Sequence, residues 1–215
     1  MPCPELVRNA GRLDRFDSHR FDVLHPDGRR LIVHWFKRAY EQRDCDPAES
    51  FEPFIYAWIA FNGWAACCTE LDQDRQLVEA VSSNPEFVQQ FADSIEQSAP
   101  LRSTAERFRS YWPVFKAQEL RRLRVRRHHE GDRRFVVADY FAKGARNFAP
   151  TCFQRHEEQG EETPLDWPHV LAAIYQVRCN LFHGDKAPHS EIDRVLVHSA
   201  FQILVQFLRR AMQTS

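Results

Sequence analysis

Apolar positions recur at three- and four-residue spacing along most of the chain, and polar residues fill the intervals. Leu31, Ile32, Trp35, Phe36 and Tyr40 follow this spacing, with Arg, Lys and Glu between them. They predict a helix over 29–43 that Asp27-Gly28 caps. Residues 44–49, with Pro47, read as a loop. A longer and almost wholly apolar run predicts a second helix over 51–71, with Pro53 tolerated in its first turn. Phe54, Trp58, Phe61 and Ala65 make one stripe on it, and Ile55, Ile59 and Ala66 lie beside that stripe. Such a helix belongs at the centre of a bundle. One polar side chain, Asn62, interrupts it.

The remaining pattern continues in shorter pieces. Two or three helices are predicted within 72–118. One opens at Asn84-Pro85-Glu86, which reads as cap, first and second positions, and carries Phe87, Phe91 and Ile95 on its apolar face. Pro100 separates it from a segment with Phe108, Tyr111 and Trp112, which Pro113 interrupts. Residues 119–134 are rich in arginine, a short amphipathic segment covers 135–142, and 143–165 reads as a loop with an acidic cluster. Asp166 caps a further helix whose stripe is Val170, Leu171, Ile174, Val177 and Leu181, ending at His183-Gly184. A last helix starts near Pro188 or Ser190 and runs to about Met212. The pattern predicts an all-α bundle: an irregular arm over 1–28, then a single helical domain over 29–215 with an inserted irregular, basic region around 119–165.

Composition narrows this picture. Only 7 Gly and 12 Pro stand among 215 residues, too few for a strand-and-turn architecture. The formal net charge of −1 provides no global attraction for nucleic acid, so any polyanion must be held by a local patch. Six cysteines form no Cys-x-x-Cys pair and no spacing suggestive of zinc. No metal and no cofactor are expected on these grounds, and reduced thiols point to the cytoplasm. The polar N-terminus lacks a signal-peptide pattern, and no apolar run reaches the roughly 18 residues that span a bilayer.

The densest candidate chemistry lies in the nine residues from Arg178 to Lys186, Arg-Cys-Asn-Leu-Phe-His-Gly-Asp-Lys. Arginine grips phosphate with a planar fork, and histidine moves protons near neutral pH. Arg178 and His183, five positions apart, would stand roughly 140° apart on an ideal helix. A shared site therefore needs Gly184 to break the helix in a left-handed conformation, or a second copy across a two-fold axis. The competing reading is a helix end decorated with cations that complement the dipole.

The stretch from Tyr175 to Lys186 resembles the signature of HEPN domains, an all-helical family of prokaryotic defence and toxin systems whose hallmark is Arg, four to six residues, then His. The Phe54-to-Trp64 segment, with Asn62, is similar to the tryptophan- and asparagine-containing helix of HEPN proteins, especially the Apea-like branch. The resemblance implies a HEPN-like bundle of four core helices with additional helices in the middle of the chain. It also implies a metal-independent endoribonuclease, a hydrolase in which Arg178, His183, Asn180 and Asn62 form the catalytic set. RNA would be cut to 2′,3′-cyclic phosphate and 5′-hydroxyl ends. Lys186, Arg124, Arg126 and Arg127 would hold the RNA backbone, although a solvated helix face is an equal reading of the arginine run. Homodimerisation through the C-terminal helices and an antitoxin or defence-system partner protein are further implications, with no membrane association. The alternative is a non-catalytic module of the same kind that binds RNA, a nucleotide or a protein. Asp185 stands where nucleotidylated members carry a tyrosine, so that mode of control is not implied.

Overall fold

The computed structural model describes residues 16–124, 133–184 and 190–212. Lys186, Arg126 and Arg127 lie outside these residues. The described chain is mostly helical, with one two-stranded ribbon. After the short α1 (His19–Asp22), α2 (Pro26–Glu41) begins three residues earlier than its apolar pattern. Pro26 is preset for a first helical position, and the His25 ring accepts from the Asp27 N–H, the capping task expected of Asp27 itself. α3 (Phe51–Thr69) follows as predicted and stops where Glu70 adopts a left-handed φ of 57°.

Next come α4 (Asp74–Ser82), α5 (Pro85–Gln97) and α6 (Ala99–Arg109). The Asn84 side chain accepts from the N–H groups of Glu86 and Phe87, as the sequence indicates. The break near Pro100 falls at Ser98, which ends α5 and caps α6; Pro100 itself sits in the first turn of α6, where its missing N–H leaves no bond unmade. Then follow β1 (Val114–Phe115), α7 (Ala117–Arg122), α8 (Arg133–Ala142), β2 (Phe148–Ala149), α9 (Phe153–Glu158), α10 (Trp167–Phe182) and α11 (Glu191–Ala211).

Two expectations change. The span 143–165 is not a plain loop, because β2 pairs antiparallel with β1, Val114 opposite Ala149 and Phe115 opposite Phe148, and α9 follows. Elements of two and six residues are too short to leave a period in the sequence. The arm over 1–28 is also not irregular throughout. From Phe16 onward it joins the core: Phe21 is buried, the Phe16 ring packs 4.9 Å from Phe87 and 5.4 Å from Trp64, and the Asp17 N–H donates to the Cys68 carbonyl at 2.9 Å.

α3 and α11 form the spine of the core, with α2 and α6 laid against them and α10 completing the side toward α4 and α5. Gly63 permits the close α2–α3 approach, since a Cβ there would meet Ile32 Cγ1 at 3.0 Å. Trp64, Phe87, Trp167 and Phe207 interlock at the centre, with the Trp167 and Phe207 rings stacked 4.2 Å apart. Fully burying each such side chain is worth roughly 1.5–3 kcal/mol. Cys68, fully buried beside its neighbour Cys67, has its thiol pushed up to about 12 by burial and serves as a small hydrophobe. A smaller apolar cluster of Phe115, Leu120, Val136, Val137, Tyr140 and Ala145 lies under the ribbon. Among the described residues no helix is long and apolar enough to cross a membrane.

Candidate functional site

Asn62 and Arg178 come together through a residue that no motif announced. Asn62 projects from α3 one turn beyond Trp58, and Arg178 projects from the last turn and a half of α10. Asp74, the first residue of α4, stands between them. Asn62 Nδ2 donates to Asp74 Oδ1 at 2.7 Å, and Arg178 Nη2 lies 2.6 Å from Asp74 Oδ2. Each carboxylate oxygen thus has its own donor. The arginine and aspartate side chains are each 22% exposed, so the pair is neither fully wet nor sealed.

Aromatic rings frame the guanidinium. Its Cζ lies 4.5 Å from the centroid of Phe182 and 5.4 Å from that of Trp58. Trp58 in turn stacks on Tyr175, whose hydroxyl is pushed up to about 12, chiefly by burial and then by Cys179. Tyr175 therefore stays protonated at neutral pH. Trp58, Ile59, Asn62, Gly63, Ala66, Arg178 and Phe182 line a shallow surface groove. Arg178 Nε is buried there without a hydrogen-bond partner.

His183 ends α10. Its backbone N–H still bonds Cys179, Gly184 takes the left-handed φ of 70°, and the imidazole is exposed. The glycine break anticipated from the sequence is therefore present. It does not bring the imidazole into the groove, which His183 does not line.

Asn180 is placed elsewhere and does a different job. It is buried; its Oδ1 accepts from the Ala117 N–H at 3.0 Å and from Gln176 Nε2 at 3.1 Å, and its Nδ2 donates to the Phe115 carbonyl at 2.8 Å. That side chain fastens the β1–α7 junction to α10 and does not meet Arg178. Arg124 is exposed just past α7, with φ of 53°. Arg133, another member of the basic run, is half-buried and donates to the carbonyls of Tyr111 and Pro113. Burial pulls its guanidinium below the usual arginine range.

Asp74 was not legible as a site residue. It sits in a polar stretch before Leu77 and Val78, where an acid normally signals only a helix start. The one clue is indirect: a half-buried arginine on an apolar helix requires a carboxylate from some other element. A second polar cluster, Cys152, His156 and His169, lies toward the opposite end of α10, His169 being nine residues or about 13 Å along the helix from Arg178. No protein-family model matches the chain, and neither a curated protein nor a solved structure shows significant similarity to it.

Proposed function

We propose that the chain is a HEPN-like, metal-independent endoribonuclease of a prokaryotic defence or toxin system, with the Arg178 groove as its phosphate-holding surface. The observation that supports this reading is the meeting of Asn62 with Arg178 on the Asp74 carboxylate, across more than a hundred residues of sequence. In this mechanism His183 takes the proton from a ribose 2′-hydroxyl as the 2′-oxygen attacks the adjacent phosphorus. The P–O2′ bond forms, the P–O5′ bond breaks, and the 5′-oxygen leaves with a proton from a second acid. Arg178 offsets charge on the phosphate oxygens. Asp74 and Asn62 fix the guanidinium plane.

Because Arg178 and His183 diverge within one chain, the catalytic set would be completed by a second copy. α11 is poorly suited to that contact, since its apolar positions are consumed by its own core. The exposed Phe182 and Ile59 beside the groove are better suited. One observation favours the second reading, a non-catalytic binding module: Asp74 already neutralises Arg178 inside the protomer. Matched RNA and DNA oligonucleotides, incubated with the purified protein without added divalent ions, separate the two. The nuclease cuts the RNA and spares the DNA, which lacks the attacking hydroxyl. Intact RNA over a prolonged incubation, with RNA retained on the protein, would leave the binding module standing instead.

A further inference from the structure

We propose that Cys152, His156 and His169 form a zinc site that fastens the segment after β2 to the start of α10. The sequence order is Cys-x3-His-x12-His, outside the spacings that suggest zinc. The fold nevertheless brings one ligand atom from each residue to within 4.8 Å of the others. Cys152 immediately precedes α9, His156 lies one turn later on it, and His169 stands in the first turn of α10. Cys152 and His169 are buried, and the His156 side chain is only 12% exposed.

Three independent features suit a metal. The first is orientation: Asp166 engages His169 Nδ1, which leaves Nε2 facing Cys152 Sγ at 3.1 Å. A carboxylate behind a ligating histidine is the recurrent way of fixing its tautomer and raising its basicity. The second is an unmet need. Neither ring nitrogen of His156 makes a hydrogen bond, and Nδ1 has only the Glu161 carboxylate beside it at 3.4 Å, which leaves Nε2 buried without any partner. The third is donor chemistry, since one thiolate and two imidazoles suit zinc better than the hard cations.

The three donor atoms lie within 4.8 Å of one another, and one pair is already close to its spacing in a loaded site. Tetrahedral zinc holds sulfur and nitrogen ligands about 3.6 Å apart, so Cys152 Sγ and His169 Nε2 need to open by only about half an ångström. Water is the natural occupant of the fourth position; Glu161, whose Oε2 lies 3.4 Å from His156 Nδ1 but outside the three-residue group, would have to swing inward to take it. Binding would release the Cys152 proton. The aligned Asp166–His169–Cys152 set also resembles an activated thiol nucleophile, but that role leaves the half-buried His156 without a purpose and Cys152 covered.

The test is zinc content of the full-length protein purified without chelator, followed by Co2+ titration of the zinc-free form. The expected result is one zinc per chain, and with Co2+ the visible bands of a tetrahedral ion plus a thiolate charge-transfer band. Cys152→Ser should remove that charge-transfer band. His156→Ala should weaken affinity about 100-fold or more, and Asp166→Asn about 10- to 100-fold. Asparagine caps helices as well as aspartate does, so Asp166→Asn keeps α10 intact and guards against misfolding in the other variants. A folded wild-type protein that takes up no stoichiometric zinc or cobalt would overturn the site. So would variants that bind as the wild type does, or a rapidly alkylated Cys152 unaffected by zinc. None of these readouts depends on RNA cleavage.

Discussion

Asp74 sets what Arg178 is free to do. The carboxylate serves Asn62 with one oxygen and Arg178 with the other, and removing it strands a half-buried guanidinium between two aromatic rings. Breaking a partly buried pair of this kind falls between the small cost at a wet surface and the larger cost in a dry core. Asp74→Ala is therefore expected to lower stability by about 1–3 kcal/mol in urea unfolding, and Arg178→Ala made on top of it should cost less than Arg178→Ala alone. His198 offers a pH-dependent counterpart. Its Nδ1 shares a 2.6 Å hydrogen bond with the buried Ser50 Oγ, and burial, followed by the charge of Arg107, holds the imidazole below its ordinary value. The unfolded chain then binds the proton more readily than the folded one. Stability should be full above about pH 6.5 and fall as pH drops below it. His198→Gln should flatten that slope in thermal unfolding measured across pH. At this scale the sequence exposed Arg178, Asn62 and the Gly184 break, because each is an exception within an apolar pattern. It could not expose Asp74, which becomes special only when α4 packs beside α3 and α10.

Helix starts were the most legible elements. Asn84 and Asp166 cap where the sequence places them, and Ser190, one of the two starts open for the last helix, caps α11, since capping depends on residues two or three apart. The ribbon was not legible, because its pairing joins residues more than thirty apart and each strand has only two residues. Asn180 is the side chain that ties this ribbon to α10, and reading it as catalytic overlooked that a buried amide satisfies backbone groups before anything else. Asn180→Ala would leave the Ala117 N–H and the Phe115 carbonyl buried without these partners. The expected cost is about 2–4 kcal/mol. Faster amide exchange at Ala117 than in α3 would show that the loss is local; unchanged exchange at Ala117 would argue against the bracket.

At the scale of the whole molecule, the all-α class followed from the 3.6-residue period, the scarcity of glycine and the two long apolar helices. What the period could not convey is how the bundle is divided: α11 is consumed by the core, α3 keeps one edge for the groove, and α10 carries polar clusters at both ends. Arg178 therefore presents its charge at a groove on the surface, and His183 stands exposed beyond the last turn. The ribonuclease proposal requires those two residues to act on one phosphate, whichever copies supply them. Side-by-side incubation of wild-type protein and His183→Ala with a mixed RNA pool, with the ends of any products mapped, tests that requirement most directly. The expected result is cleavage by the wild type alone, leaving 2′,3′-cyclic phosphate and 5′-hydroxyl ends, with the variant folded and inactive. Equal cleavage by a folded His183→Ala protein, or products with 5′-phosphate ends, would contradict it.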